Sequence, residues 1–334
     1  MPTNRTWARS LAVALVLGLA ACGAIRMPSD SLSDVGYTSL SVPDPGDQPL
    51  EVGVWYPTDA RPSVVDMGLS RQLVAQDGAV AGHGLALIVM SHGNGGGFGS
   101  HADTAVALAA AGFVVAAPNH TGDNFRDESY VGTARWLPDR TRHLKMVTDY
   151  MLRDWPHHAR LDGRVGMFGF SAGAFTALVA IGGAPDLRRV AANCAARPEP
   201  ACTLWAHPPA TSPPSEAWVR DRRISAAIVA APGLGFTFEP DGLEHLGAAV
   251  QLWSGADDRI VPYATNTAIV LRQLRRPLDY HEVPRAGHMS FITPCKPEIR
   301  GPLCRDADGF DRAAFHADLN RSAVDFYRAH LEVR

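Results

Sequence analysis

The chain has 334 residues, of which 46% are apolar and 19% charged, with a net charge of −3 and no basic block. This composition supports a large buried core and argues against nucleic acid as a partner. No internal repeat is present, and the length suits one α/β domain with insertions, the two-domain alternative being the usual prior for this size.

The first 21 residues read as an export signal and are left out of the fold. Arg5 and Arg9 give a positive start, and the apolar run Leu11–Leu19 is too short to span a bilayer as a stable anchor. Leu19-Ala20-Ala21-Cys22 resembles a bacterial lipobox, in which cleavage precedes a cysteine that is then lipidated. An ordinary secretory signal with a coincidental Cys22 is the alternative. Gly23 in place of aspartate argues, by the same resemblance, against retention in an inner membrane. Residues 22–35 form a polar tether, and 36–334 the folded domain.

Val52–Tyr56 alternates apolar and polar residues as an early antiparallel strand. Leu85–Met90 is an apolar run of buried-strand length, leading into Ser91-His92-Gly93-Asn94-Gly95-Gly96-Gly97. Such a loop can supply an oxyanion donor, here the Asn94 N–H, with His92 as its structural support. A phosphate cradle is the competing use of a glycine-rich loop, but no lysine follows the glycines and G-x-G-x-x-G spacing is not met. A plain turn is the third possibility. Ala102–Ala111 is then predicted helical and Phe113–Ala117 a buried strand, with His120 placed to line a pocket. Arg140–Asp154 carries Leu144, Val147, Met151 and Leu152 on one helical face, and His157-His158 reads as solvated surface.

Val165–Phe168 reads as the end of a strand and Ala174–Ile181 as a helix, with Gly169-Phe170-Ser171-Ala172-Gly173 between them. Gly-x-Ser-x-Gly in that context is a nucleophile elbow, a strained turn that lifts the Ser171 hydroxyl clear of the sheet. Gly169 and Gly173 remove side chains that would collide with the neighbouring strand and helix. The N–H of Ala172, following the nucleophile, is the second oxyanion donor. Residues 185–223 break the α/β alternation with many prolines and two tryptophans, as a cap insertion or as a surface excursion.

Ile224–Ala230 and Ala249–Trp253 are predicted strands, the latter leading to Asp257-Asp258 and Ile260-Val261-Pro262. Tyr263–Leu274 reads as a helix and Leu278–Val283 as the last strand, followed by Ala286-Gly287-His288-Met289. Asp311–Leu331 closes the chain as a helix. Serine needs an imidazole to take its proton, and the imidazole needs a carboxylate to fix its tautomer. Ser171, an acid at 257 or 258, and His288 occur in the order the elbow requires, each in a loop following a strand. Met289 is placed to line the same pocket. Of the cysteines after Cys22, proximity pairs Cys194 with Cys202 and Cys295 with Cys304, as expected in an exported protein. A zinc site is the alternative, though no C-x-x-C pair occurs.

The elbow, the His92-Gly93-Asn94-Gly95-Gly96 loop, Pro118-Asn119-His120-Thr121-Gly122-Asp123-Asn124 and Ala286-Gly287-His288 together resemble the bacterial "predicted dienelactone hydrolase" group, near the platelet-activating-factor acetylhydrolases. The resemblance runs from about Tyr37 to the C-terminus and is weakest after the elbow helix. It implies an α/β-hydrolase fold, a mostly parallel central sheet with helices on both faces and a small cap insertion. Gly-x-x-Asp followed by Ile-Val-Pro then selects Asp258 over Asp257. True dienelactone hydrolases use a cysteine nucleophile where this chain has Ser171, so ester hydrolysis is carried over and the lactone substrate is not.

The expectation is a monomeric serine ester hydrolase at the cell envelope, held to a membrane by lipid on Cys22, with a small-molecule ester as substrate. Its chemistry requires no metal and no cofactor. The glycine-rich loop, with no long apolar groove evident, implies short acyl groups. An acyltransferase or polyester depolymerase would use the same triad, and a non-catalytic binding lipoprotein is the rival from another class.

Overall fold

The computed structural model describes Met1, residues 33–274 and residues 279–331. The predicted signal beyond Met1, Cys22 and most of the tether lie outside these residues. Among the described residues ten strands form one sheet: β1 (Asp34–Val42), β2 (Leu50–Thr58), β3 (Ser63–Asp66), β4 (Arg71–Gln76), β5 (Leu85–Ser91), β6 (Val114–Pro118), β7 (Leu161–Phe170), β8 (Ile224–Ala230), β9 (Ala249–Gly255) and β10 (Asp279–Val283). Their spatial order is β10-β9-β8-β7-β5-β6-β2-β1-β4-β3. The run from β10 to β6 is parallel throughout, whereas β2 joins β6 and β1 antiparallel. β1 begins at Asp34, two residues inside the expected tether.

The helices are α1 (Ala102–Ala110), α2 (Trp136–Arg153), α3 (Ala172–Ala180), α4 (Arg189–Ala196), α5 (Thr267–Gln273) and α6 (Arg312–Leu331). They cover both faces of the sheet because its central strands are apolar on both sides. Along β5, Leu85, Leu87 and Val89 enter one core with Leu144, Val147 and Met151 of α2 and Phe175 of α3. The alternating Ala86, Ile88 and Met90 enter the other, with Leu108 of α1 and Leu319 and Tyr327 of α6. Period-2 alternation with apolar residues in both registers is what a buried parallel strand requires. This is the α/β-hydrolase fold, and strands β5, β7, β9 and β10 deliver their following loops to the same end of the sheet.

One predicted helix is divided in the structure. Tyr263–Leu274 is not one helix: a 3-10 turn at Tyr263–Thr265 precedes α5. Asn266 stands between them because its side chain is engaged elsewhere, Oδ1 accepting the Gly235 N–H at 2.9 Å. Strands β1, β3 and β4 and helix α4 were not predicted. Within residues 185–223 the structure forms α4 and short 3-10 turns, with Trp205 packed edge-on against Trp136 and Trp218 against Phe175.

Candidate active site

Ser171 joins β7 to α3 with φ 56° and ψ −118°, a backbone region costly for any residue but glycine. The turn persists because its flanks are packed too tightly for an alternative. A Cβ at Gly169 would lie 2.2 Å from the Gly173 carbonyl oxygen, and one at Gly173 would lie 2.0 Å from that of Ser91. Both glycines are therefore needed for close approach of backbone, and the elbow serine is fixed at the edge of the cavity.

His288 Nε2 lies 2.8 Å from Ser171 Oγ, and its Nδ1 lies 2.7 Å from Asp258 Oδ2. The other carboxylate oxygen of Asp258 accepts the N–H groups of Ile260 and Val261 at 2.9 and 2.8 Å, which locks the plane of the carboxylate. The Phe170 ring packs 4.7 Å from the imidazole and limits its swing. The loops after β9 and β10 are stitched together by backbone bonds, Ala256 N–H to Val283 and Asp257 N–H to Ala286, each at 3.0 Å. Asp257 itself faces solvent, whereas the Asp258 side chain is 4% exposed. Of the two neighbouring acids, only Asp258 is brought to the histidine.

The loop after β5 lies against the elbow, where a Cβ at Gly93 would be 3.3 Å from that of Ser171. Asn94, Ala172 and Met289 line the same cavity as Ser171 and His288. Ala172 is the first residue of α3, so its N–H has no carbonyl four residues back within the helix. His92 supports the loop as expected: its Nδ1 bonds the Gly93 carbonyl at 2.7 Å and its Nε2 accepts the His120 N–H at 3.1 Å. His120 does not line the cavity. It is fully buried beneath the loop, with Nε2 2.9 Å from Ser91 Oγ and its ring stacked on His143. Burial, with the Arg140 charge adding to it, pushes His92 down to about 4 and His120 well below the usual histidine range.

A buried ion pair that the sequence analysis did not identify underlies this loop. Arg140 Nη1 meets Asp123 Oδ2 at 2.5 Å, both side chains 1% exposed. Burial alone would raise the Asp123 carboxyl, but Arg140 reverses that and leaves it below the ordinary carboxylate range. A signal was available: Arg140 lies on the same helical stripe as Leu137, Leu144, Val147 and Met151, all buried. A charge on the apolar stripe of a helix must find a partner inside the fold.

The cavity holds about 700 Å³, within the range of small-molecule sites. Met67, Leu69, Phe98, Leu234, Val261 and Ile292 give it a mainly apolar wall. Cys194–Cys202 and Cys295–Cys304 are bonded as expected, which removes the zinc alternative, and both closed loops reach the cavity. Ala201 lies within the first loop and Leu303 within the second, and both line the space. The expected lack of an apolar groove is thus corrected, since the groove is assembled from loops far apart in sequence. Its charged lining residues are already paired, Asp66 with Lys296 and Arg126 with Glu51.

No protein-family model and no curated protein matches the chain by sequence. Many solved structures share its fold, among them an esterase and a dienelactone hydrolase. A ferulic acid esterase from Streptomyces cinnamoneus superposes with a TM-score of 0.63 at 20% identity, covering 89% of this chain and 90% of its own. A dienelactone hydrolase from Anabaena variabilis ATCC 29413 gives a TM-score of 0.53 at 18% identity, covering 90% of this chain and 100% of its own.

Proposed function

We propose that the protein is a serine-dependent carboxylic ester hydrolase working through an acyl-enzyme. The observation that carries this is the continuous hydrogen-bonded series Ser171–His288–Asp258, set on an elbow at the wall of an apolar cavity. Ser171 Oγ attacks the ester carbonyl while His288 Nε2 takes its proton. Asp258 accepts from Nδ1–H, holds that tautomer and stabilises the imidazolium. The Asn94 and Ala172 amides hold the oxyanion. Its collapse expels the alcohol, which receives the proton from His288, and water then releases the acid by the same steps. Similarity of fold to an esterase and a dienelactone hydrolase agrees with hydrolysis of carboxylic esters.

The cavity favours neutral esters with an apolar acyl or alcohol group larger than acetyl, because no unpaired charge lines it. Location at the cell envelope through lipid on Cys22 is part of the same proposal. The two disulfides fit an oxidising compartment. Among the described residues no helix is long and apolar enough to cross a membrane. The test is turnover of p-nitrophenyl esters of graded acyl length, together with labelling by a fluorophosphonate. Labelling confined to Ser171 is expected, as is loss of about three orders of magnitude in turnover in Ser171→Ala. A protein that hydrolyses none of these esters and takes label elsewhere would refute the assignment.

A further inference from the structure

Ester hydrolysis by Ser171, His288 and Asp258 makes no direct use of the Arg140–Asp123 pair. Stability is a weak reason for burying it, since apolar residues of similar volume often serve as well. Its contacts are distributed in a particular way. Arg140 Nη2 donates to the His92 carbonyl and, at 3.2 Å, to Ser91 Oγ. Asp123 Oδ1 accepts the Gly95 N–H at 2.8 Å and the Asn94 side-chain amide at 2.9 Å. The peptide planes on either side of the Gly93–Asn94 peptide are therefore both pinned by one ion pair.

The intervening plane is pinned as well. Its Gly93 carbonyl bonds His92 Nδ1 at 2.7 Å and the Gly96 N–H at 3.1 Å. In a trans peptide the N–H points opposite to the carbonyl, so the Asn94 N–H is directed away from both partners. The same guanidinium reaches, through Thr176, the first turn of α3 that carries the other donor. Arg140 Nε donates to Thr176 Oγ1 at 3.2 Å, and that hydroxyl donates to the Ala172 carbonyl at 2.8 Å.

We propose that Arg140 and Asp123 are a positioning pair, holding the amides of Asn94 and Ala172 at the spacing that a tetrahedral oxyanion needs. This rests on the esterase assignment above. Neither side chain touches the substrate. Each acts through the backbone it ties, and Thr176 relays the guanidinium to the first turn of α3. Because the oxyanion forms only in the tetrahedral intermediate and the transition states flanking it, and not in the bound ester, loosening the pair lowers kcat and leaves KM nearly unchanged.

The test uses the full chain with Asp123→Leu/Arg140→Met, which removes both charges together and so leaves neither buried without a partner. The expected result is a cooperatively folded protein with kcat lowered about a hundredfold, the order of losing one oxyanion donor. KM stays within a few-fold, and inhibition by a trifluoromethyl ketone, whose serine adduct carries the oxyanion, weakens in step with kcat/KM. A folded double variant with wild-type kcat and wild-type inhibition overturns the proposal. If the double variant does not fold, Thr176→Val decides. It should lose about tenfold in kcat at constant KM, with recovery in Thr176→Ser, and an unchanged kcat overturns the proposal. A wild type that is inactive and unlabelled at Ser171 overturns the esterase assignment and this role with it. A labelled, active wild type with indifferent variants overturns the positioning role alone.

Discussion

Gly173→Ala is the most incisive single perturbation of this site, because it adds one methyl group and removes no atom of the proposed triad. The new Cβ would sit 2.0 Å from the Ser91 oxygen, 2.6 Å from the Ser91 carbonyl carbon and 2.8 Å from the His92 oxygen. Ordinary contact begins at 3.4 Å, so the closest pair must separate by 3.4 − 2.0 = 1.4 Å. The strand side resists: Ser91 ends β5 within the parallel sheet, and the His92 carbonyl is held by Arg140. The start of α3 moves instead and carries Ser171 and Ala172 with it. Alanine favours the helix over glycine by about 1 kcal/mol, but overpacking costs about 1–3 kcal/mol and the clash here is with backbone, so the variant is destabilised by about 1–3 kcal/mol. Displacement of about 1 Å at reacting groups costs about a hundredfold. Activity should therefore fall about a hundredfold in a protein that still folds, as read by kcat/KM on a p-nitrophenyl ester and by urea unfolding. Gly287→Ala is the control, one residue from His288 but with nothing within 4 Å of its Cβ, and it should be near neutral on both measures. Wild-type kcat/KM in Gly173→Ala would refute the claim that close backbone approach fixes the elbow.

Asp258→Asn should lower turnover by about ten-thousand-fold through the wrong imidazole tautomer, while Asp257→Asn stays within a few-fold; the reverse order would move the acid to Asp257. Stability should fall in mild acid. His92 is pushed down to about 4, and His101 and His143 to about 3, in each case chiefly by burial, whereas the unfolded chain titrates them near 6.5. The unfolded state therefore binds protons first. The stability these groups contribute is complete above pH 6.5 and shrinks as pH falls toward 4, by about 2 kcal/mol for each at pH 5. Urea midpoints that do not change between pH 7.5 and 5 would contradict this. The wild type should fractionate with membranes, resist salt and yield to detergent, and Cys22→Ser should release it; a mature N-terminus elsewhere than Cys22 would leave an ordinary export signal.

Features carried by local pattern were legible in the sequence alone. Leu85–Met90 and Phe113–Ala117 are apolar runs of buried-strand length, Ile224–Ala230 is apolar but for Ser225, and all three are strands within a residue at either end. The spacing of Gly169, Ser171 and Gly173, and the order Ser171, Asp258, His288, follow from chemistry that restricts both residue type and sequence. What depends on distant segments meeting was not legible. β1, β3 and β4 lie at the outer end of the sheet, where burial is uneven and periodicity correspondingly blurred. Asn266 breaks a helical pattern for the sake of Gly235, 31 residues away. The cavity takes its wall from loops on either side of the elbow, so no stretch of sequence displays an apolar groove. The Arg140–Asp123 pair joins a helix to a loop across the buried face of the fold, and only the tertiary structure decides which carboxylate meets that guanidinium. Local propensity acts over a few residues, whereas the desolvation that compels such a pairing exists only once the core has closed.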